Sequence, residues 1–478
     1  MGHGPSDRGG WRSQFRASPG GLFIMNPLSR LSPPVSATLE HDNVTQRHFM
    51  QIKTLIFLAF LLASGITARA ATSLDSAWPQ WRGPNRDGQF TGPAWPEKLD
   101  ANYLQLAWRV ELAPSYSGPI VAGDRVFTTE TKDKKFEVVT AYDRKTGKEI
   151  WRAQWEGAMT VPFFAKSNGD WIRATPACDG ESLFVAGMRD LLVCLDAQTG
   201  KERWRFDFVK KMEAPVPDFG FVCSPLVEGE FVYVQAGASF VKLNKRSGEL
   251  LWRTLAEKGG MMGSVFSSPM FAELAGQRQL IVQTREKLAG VDPADGKVLW
   301  EQPVEAFRGM NILTPVAYKD TLFSSTYGGK TIGFKIAQAA GKFTVTEAWK
   351  HKAQGYMSTP VIIDGIAYEH LKSQRVMAIE VETGRELWTS DQSFGKYMSL
   401  VAQGDRILAL DQRGELFLFR ANKKQFEQID KRKLTDGETW AYLAVADNQL
   451  FIRELNAMVA YTWSTPFAVV PRIDEGKL

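Results

Sequence analysis

The stretch "YDRKTGKEIW", residues 142–151, returns four times further along the chain. The echoes are "LDAQTGKERW" ending at Trp204, "LNKRSGELLW" at Trp252, "VDPADGKVLW" at Trp300 and "IEVETGRELW" at Trp388. Each phrase has an acidic or amide residue, two spacers, Thr, Ser or Asp before a Gly, and a Trp four positions after that Gly. A fixed phrase recurring at long intervals marks a repeat architecture. The Asp or Asn side chain can hydrogen-bond the backbone of a tight turn, and Gly147, Gly200, Gly248, Gly296 and Gly384 supply the positive φ such a turn needs. The Trp then falls on the following strand, where a large flat ring can dock between neighbouring units. The phrase therefore reads as a structural staple.

A second phrase precedes each unit: "SGPIVAGDRVFTT" at 117, "ATPACDGESLFVA" at 174, "CSPLVEGEFVYVQ" at 223 and "SSPMFAELAGQRQLIVQ" at 267. It continues as "LTPVAYKDTLFSS" at 313, "STPVIIDGIAYEH" at 358, "MSLVAQGDRILAL" at 398 and "AYLAVADNQLFIR" at 441. Each couples a short apolar run, a Gly/Asp turn and a second run of β-formers, the pattern of a hairpin. A third run, such as "LLVCLD", leads into the Gly turn and the Trp strand. Four strands in each of eight units predict an all-β, eight-bladed β-propeller with antiparallel blades. Leu104 to Trp463 spans 360 residues, or 45 per blade. The last blade lacks the Gly phrase after Trp463, so "YLQLAWRV" near the start, with Trp108 in the docking position, is expected to supply its outer strand. Closure by both chain ends removes free sheet edges. The expected docking set is Trp108, Trp151, Trp204, Trp252, Trp300, Trp349 and Trp388. In the fifth blade "IAQAAGKFTVTEAWK" departs from the phrase and keeps only Trp349.

Ahead of the repeats, Met50 begins "MQIKTLIFLAFLLASGITARAAT": a lysine, about a dozen apolar residues and an Ala-Arg-Ala site. That is the pattern of a secretory signal peptide cut after Ala70. Residues 1–49 read as an upstream extension, 50–70 as the signal, 71–103 as a lead-in, 104–463 as the propeller and 464–478 as a tail. The chain carries 58 Lys/Arg against 53 Asp/Glu, a net charge of +5. Seven of those bases and three of those acids lie in 1–70, which leaves +1 for the rest and no charge argument for nucleic acid. Beyond the signal no segment is long and apolar enough for a membrane span. Cys178, Cys194 and Cys223 are the three cysteines, an odd number for an exported chain. His351 and His370 are the histidines beyond the leader, without metal-ligand spacing. The expected location is the periplasm or the cell exterior.

The D-x-x-[TSD]-G-x-x-x-W phrase in five blades, with Thr/Ser-Pro leading the inner strand, resembles the tryptophan-docking repeats of the pyrroloquinoline-quinone (PQQ) propeller superfamily. That superfamily includes quinoprotein alcohol dehydrogenases and the periplasmic propeller lipoprotein of the outer-membrane assembly machine. The likeness covers about residues 78–463, and "WPQWRGPNRDGQ" from Trp78 looks like the lead-in of exported bacterial members. The resemblance to the dehydrogenases implies adjacent cysteines, a Ca²⁺ held by Glu and Asn, and an Asp base. This chain has no Cys-Cys pair and no stretch matching the metal-and-base set. Resemblance to the lipoprotein implies a Cys directly after the signal; here Ala71 follows, so no lipid anchor is expected. The favoured reading is a non-catalytic exported binding or scaffold propeller that meets a protein or glycan. The alternative is a PQQ-dependent alcohol or sugar dehydrogenase, which implies PQQ and calcium.

The connection from each docking Trp to the next inner-strand Pro takes 10 residues after Trp108 and Trp349, but 24 after Trp151, 20 after Trp204, 16 after Trp252 and 14 after Trp300. Ten residues suffice, so the surplus is elaboration on one face, and long loops on rigid scaffolds tend to carry function. The residues just before the inner strands are aromatic or polar. They nominate Trp171, Arg173, Arg308, Asn311, Tyr356, Tyr397 and Trp440 as ligand-binding candidates, with Arg173 and Arg308 as the cations for an anionic ligand. Phe219 and Phe221 share that position in the third blade.

Overall fold

Asp143 shows why the recurring phrase folds as it does. Its Oδ1 accepts from the backbone N–H of Thr146 at 2.8 Å and from the Thr146 hydroxyl at 2.7 Å, while Gly147 N–H donates to the Asp143 carbonyl at 2.8 Å. Asp196 makes the same turn with Thr199 and Gly200, and Asn244 makes it with Ser247 and Gly248. In the computed structural model, which describes residues 77–258 and 265–464, these turns join the third and fourth strands of successive sheets. The proposed upstream extension, signal peptide and most of the C-terminal tail lie outside the described residues.

Eight four-stranded antiparallel sheets form the propeller. Blade one is built from Ile120–Ala122, Arg125–Lys132, Phe136–Asp143 and Glu149–Glu156, numbered outward from the axis. Blades two to seven occupy 177–207, 226–254, 270–303, 316–351, 361–389 and 398–433. Blade eight takes Ala444–Ala446, Gln449–Glu454 and Ala457–Trp463 from the C-terminal side and Leu104–Glu111 as its outer strand, with Trp108 opposite Ala460. The ring therefore closes with the expected N-terminal strand. Middle strands such as Leu191–Asp196 are buried on both faces, because each blade is packed between two others. This is why they read as unbroken apolar runs rather than alternating ones.

Every outer strand carries a bulge beside its docking position, as where Ala141 faces Trp151 but Tyr142 faces Glu149. A bulge re-aims the side chains beside it, and here it accompanies a ring turned into the seam. The ring of one blade lies on the turn glycine of the next: Trp108 on Gly147, Trp151 on Gly200, Trp204 on Gly248, Trp252 on Gly296 and Trp349 on Gly384. The indole N–H then donates to a carbonyl of the neighbouring blade's turn, in three seams that of the residue after the turn Asp or Asn. Trp108 reaches Arg144 at 2.9 Å, Trp151 Ala197 at 3.1 Å and Trp204 Lys245 at 2.9 Å. Trp349 reaches Val381 at 2.8 Å and Trp388 reaches Asn422 at 2.7 Å.

Two seams depart for local reasons. Trp252 finds no acceptor among the described residues, because the Lys242 ammonium opposite it takes the Pro293 carbonyl at 2.7 Å. Trp300 donates instead to Gln279 Oε1 at 2.6 Å, since blade five replaces the Asp turn with a long hairpin, Thr331–Ala339 and Lys342–His351. Blade seven has no docking Trp at all. Asp430 occupies that register position and accepts from Leu99 N–H at 2.8 Å, and Leu99 and Trp95 join the buried cluster there. The lead-in thus fills the seam that the repeat leaves open.

The rest of the lead-in enters the axis from the face that carries the Gly turns. Trp78 pairs with Val121 of blade one, and Gln89 with Ala402 of blade seven. Trp78, Arg82 and Arg86 are 1%, 0% and 1% exposed, so this segment is an axial plug.

Candidate functional site

The Thr/Ser-Pro residues that open the inner strands form a belt around the axis at the opposite end. Gly118 N–H donates to Thr175 Oγ1 at 3.1 Å, and Thr175 N–H to Ser224 Oγ at 3.0 Å. Ser224 N–H donates to Ser268 Oγ and Ser268 N–H to Thr314 Oγ1, both at 3.0 Å. Thr314 N–H donates to Thr359 Oγ1 at 3.2 Å, and Thr359 N–H to the Tyr442 hydroxyl at 2.9 Å. A hydroxyl at this position satisfies the neighbouring blade's backbone donor, while Pro asks for none. The repeated dipeptide is thereby explained as a stitch between blades.

Above this belt lie the loops between blades. Arg173 sits 5.3 Å from the Tyr116 ring centroid and donates to the Gly169 carbonyl at 2.6 Å. Tyr116 meets Trp171 edge-on at 5.5 Å and Trp440 at 6.2 Å, and Trp440 stacks on Tyr397 at 6.1 Å. Tyr397 meets Tyr442 at 6.0 Å, and Tyr442 meets Trp81 of the plug at 5.2 Å. Trp171, Arg173, Tyr397 and Trp440 thus belong to one cluster, linked by Tyr116 and Tyr442. Burial pulls the Arg173 pKa down, against the favourable Tyr116 and Asp170. Burial also pushes the Tyr397 phenol well above its ordinary value.

Tyr356 belongs to a second cluster, 5.0 Å from Tyr327, which in turn meets Phe307 at 5.8 Å and lies under the Lys372 ammonium at 4.7 Å. Arg308 projects beside Phe307, exposed, with a left-handed φ of 54°. Asn311 is 2% exposed, and its amide donates to the carbonyls of Thr284 and Arg285 at 3.1 and 3.0 Å. Its visible work is to hold a loop. Arg173 and Arg308, paired in the sequence reading, sit in different clusters.

A third group was not nominated from sequence. Phe163 is 84% exposed, and Phe164, Val216 and Phe307 are also exposed. Phe163 meets Phe164 at 5.6 Å, Phe164 meets Phe219 at 6.3 Å and Phe219 meets Phe266 at 5.7 Å. Its signals were "VPFFAK" inside the longest loop and Phe219 ahead of the third blade's inner strand. Phe221, by contrast, is 2% exposed in the core. The loops are held from below by Glu137, whose carboxylate accepts from Met188 N–H at 2.6 Å and Trp155 Nε1 at 2.7 Å. Asp190 accepts from Gly237 N–H at 2.8 Å. Burial raises both carboxyls to about 7.

The calcium-quinone pair implied by the superfamily does not fit these residues. Among the described residues no three His, Cys, Asp or Glu side chains gather to hold a metal ion. Cys178, Cys194 and Cys223 are separate, free and buried. A cleft of about 380 Å³, lined in part by Gln80, Glu228, Phe271 and Arg278, lies on the Gly-turn face, away from the candidate residues. No described helix is long and apolar enough to cross a membrane.

A family model described as outer membrane protein assembly factor BamB matches residues 98–166 and 134–390. The chain is 24% identical over 305 residues to the outer membrane protein assembly factor BamB of Yersinia pestis, covering 59% of this chain and 73% of that protein. It is 33% identical over 130 residues to a polyvinylalcohol dehydrogenase of a Sphingopyxis species, covering 27% of this chain and 18% of that one. The crystal structure of BamB from Moraxella catarrhalis superposes with a TM-score of 0.54 at 16% identity, covering 76% of this chain and 99% of that one. At that identity the likeness shows the fold.

Proposed function

The chain belongs to the family described as outer membrane protein assembly factor BamB, and from that premise we propose that it is a non-catalytic scaffold. On this reading it is exported, works in the periplasm and docks a protein or glycan partner on its loop face. One observation carries the reading: Phe163, Phe164, Val216 and Phe307 stand exposed on the face where the connections are longest. Exposed apolar groups gathered on one face of a rigid scaffold are costly to keep in water and mark interaction surfaces. Fully burying two Phe side chains against a partner would contribute about 3–6 kcal/mol before ordering costs. Arg308, 5.1 Å from the Phe307 ring centroid, and Lys166, on the same short segment as Phe163 and Phe164, are exposed and would form part of a polar rim.

The test is a photoreactive phenylalanine analogue placed at 163 or 307, with control positions at 150 and 251 on outer strands. Ile150 and Leu251 are 40% and 42% exposed, so they sample the rim equally well. The expected result is one defined adduct from the loop face and none from the rim. Equal labelling from both would refute a dedicated docking face. The dehydrogenase reading draws support from the Sphingopyxis match, which spans less than a fifth of that enzyme.

A further inference from the structure

We propose that the propeller axis holds a monovalent inorganic anion, chloride in a saline medium, between the guanidinium groups of Arg82 and Arg86. This goes beyond partner docking and stands independently of it.

Arg82 and Arg86 are 0% and 1% exposed, and neither makes an ion pair among the described residues. Their closest hydrogen bonds run to carbonyl oxygens instead, and Arg82 also has the Tyr442 side chain as a hydrogen-bond partner. Arg82 Nη2 donates to Pro360 at 2.7 Å and Asp87 at 2.8 Å. Arg86 donates to Pro225 at 2.7 Å and Ser224 at 3.0 Å, with Gln80 Oε1 at 3.5 Å. Carbonyl dipoles orient a guanidinium but do not neutralise it. Trp81 contributes its ring to both cations, at 5.6 and 5.2 Å from the centroid, and that too leaves the charge in place.

Asp87 is the carboxylate that acts on Arg82, through space rather than by contact, and its Oδ1 accepts from Gln89 N–H at 2.9 Å. No carboxylate acts on Arg86, whose pKa burial pulls down to about 9. Two buried cations therefore share one carboxylate, an excess of one positive charge at the axis. An uncompensated buried charge is among the most costly features a fold can carry. One monovalent anion balances it.

Donors for that anion are in place. Arg82 Nε, Arg82 Nη1 and Arg86 Nε have no acceptor among the described residues. The hydroxyls of Thr175, Ser224 and Thr359 each accept a neighbour's N–H, which leaves their own protons to give. Ser224 joins the two sets, because its carbonyl holds Arg86 while its hydroxyl belongs to the belt. An anion here would fasten the plug to blades three and six, so loading it and seating the lead-in become one event.

The test exchanges chloride for bromide in crystals of the exported protein and records anomalous scattering at the bromine edge. One axial bromide peak in contact with both guanidinium groups is expected. In solution, replacing chloride with gluconate at constant ionic strength should lower Tm by about 3 °C if the halide was near a hundredfold excess over Kd. Arg86→Met should remove that difference; where this variant does not fold, the wild-type bromide map decides alone. An axial feature without anomalous signal, meaning water only, would overturn the proposal. So would a sulfate or phosphate response with no halide response.

Discussion

Replacing Gly200 with Ala tests the docking of Trp151 in one atom. Gly200 has φ of +72°, and a Cβ there would stand 2.4 Å from Trp151 Cε3 and 2.6 Å from Cδ2. Two costs then add. A side chain in the left-handed region costs about 1–2 kcal/mol. Displacing a ring already seated in a packed seam costs about 1–3 kcal/mol more. The control is Gly229→Ala, where φ is +56° and a Cβ would meet nothing within 4 Å. It bears the backbone cost alone. Guanidinium denaturation followed by far-UV circular dichroism should place Gly200→Ala about 2–5 kcal/mol below wild type and Gly229→Ala about 1–2 kcal/mol below it. Trp151→Leu in the Gly200→Ala background should cost less than the sum of the two single changes, because the clash is shared. Equal midpoints for the two glycine variants would show that the indole does not rest on the turn, and the stapling account would fail.

Trp204→Phe should cost about 1 kcal/mol more than Trp252→Phe by the same assay, since Trp204 loses a hydrogen bond to Lys245 that Trp252 never makes. Leu99→Ala should cost about 2–5 kcal/mol despite lying outside every strand, because Leu99 is 0% exposed in the seam of blade seven. Glu369 is raised to about 8 by burial, with Ser325 pulling the other way, so the folded chain keeps this proton where the unfolded chain releases it near 4.5. That contribution to stability is present at low pH and is lost as pH rises through about 8. Urea midpoints should therefore rise in Glu369→Gln relative to wild type at about pH 8.5 and converge at about pH 4.5. A gap that does not change with pH would contradict the assignment.

The repeats made the blades legible because the Asp-to-Gly turn and the Trp are local chemistry, readable wherever the phrase survives. Closure by Trp108 was legible for the same reason. The seventh seam was not, since Asp430 stands where a Trp would and the filling comes from Leu99 and Trp95, more than three hundred residues away in sequence. The plug was equally hidden: "WPQWRGPNRDGQ" occurs once, so no periodicity reveals that Arg82 and Arg86 end at the axis. At the loop face, position before the inner strand nominated residues on the connections between blades. It could not say that Asn311 turns inward to the Thr284 and Arg285 carbonyls. Nor could it say that Trp171 and Tyr397 are bridged by Tyr116 and Trp440. Those outcomes depend on which loop leans on which, a matter of packing between blades rather than of spacing along the chain.

Whether the propeller works as a scaffold through its loops or through a bound quinone is decided by titrating the exported protein with PQQ and Ca²⁺ in a calorimeter. PQQ carries three carboxylates, and an oriented, polarised quinone needs cations and donors aimed at it. Arg173 and Arg308 lie in separate clusters, and among the described residues no three His, Cys, Asp or Glu side chains gather to hold a metal ion. The account predicts no saturable heat and no dye-linked oxidation of alcohols or aldoses. Stoichiometric PQQ binding, abolished in Arg173→Ala or Trp171→Ala, would contradict it.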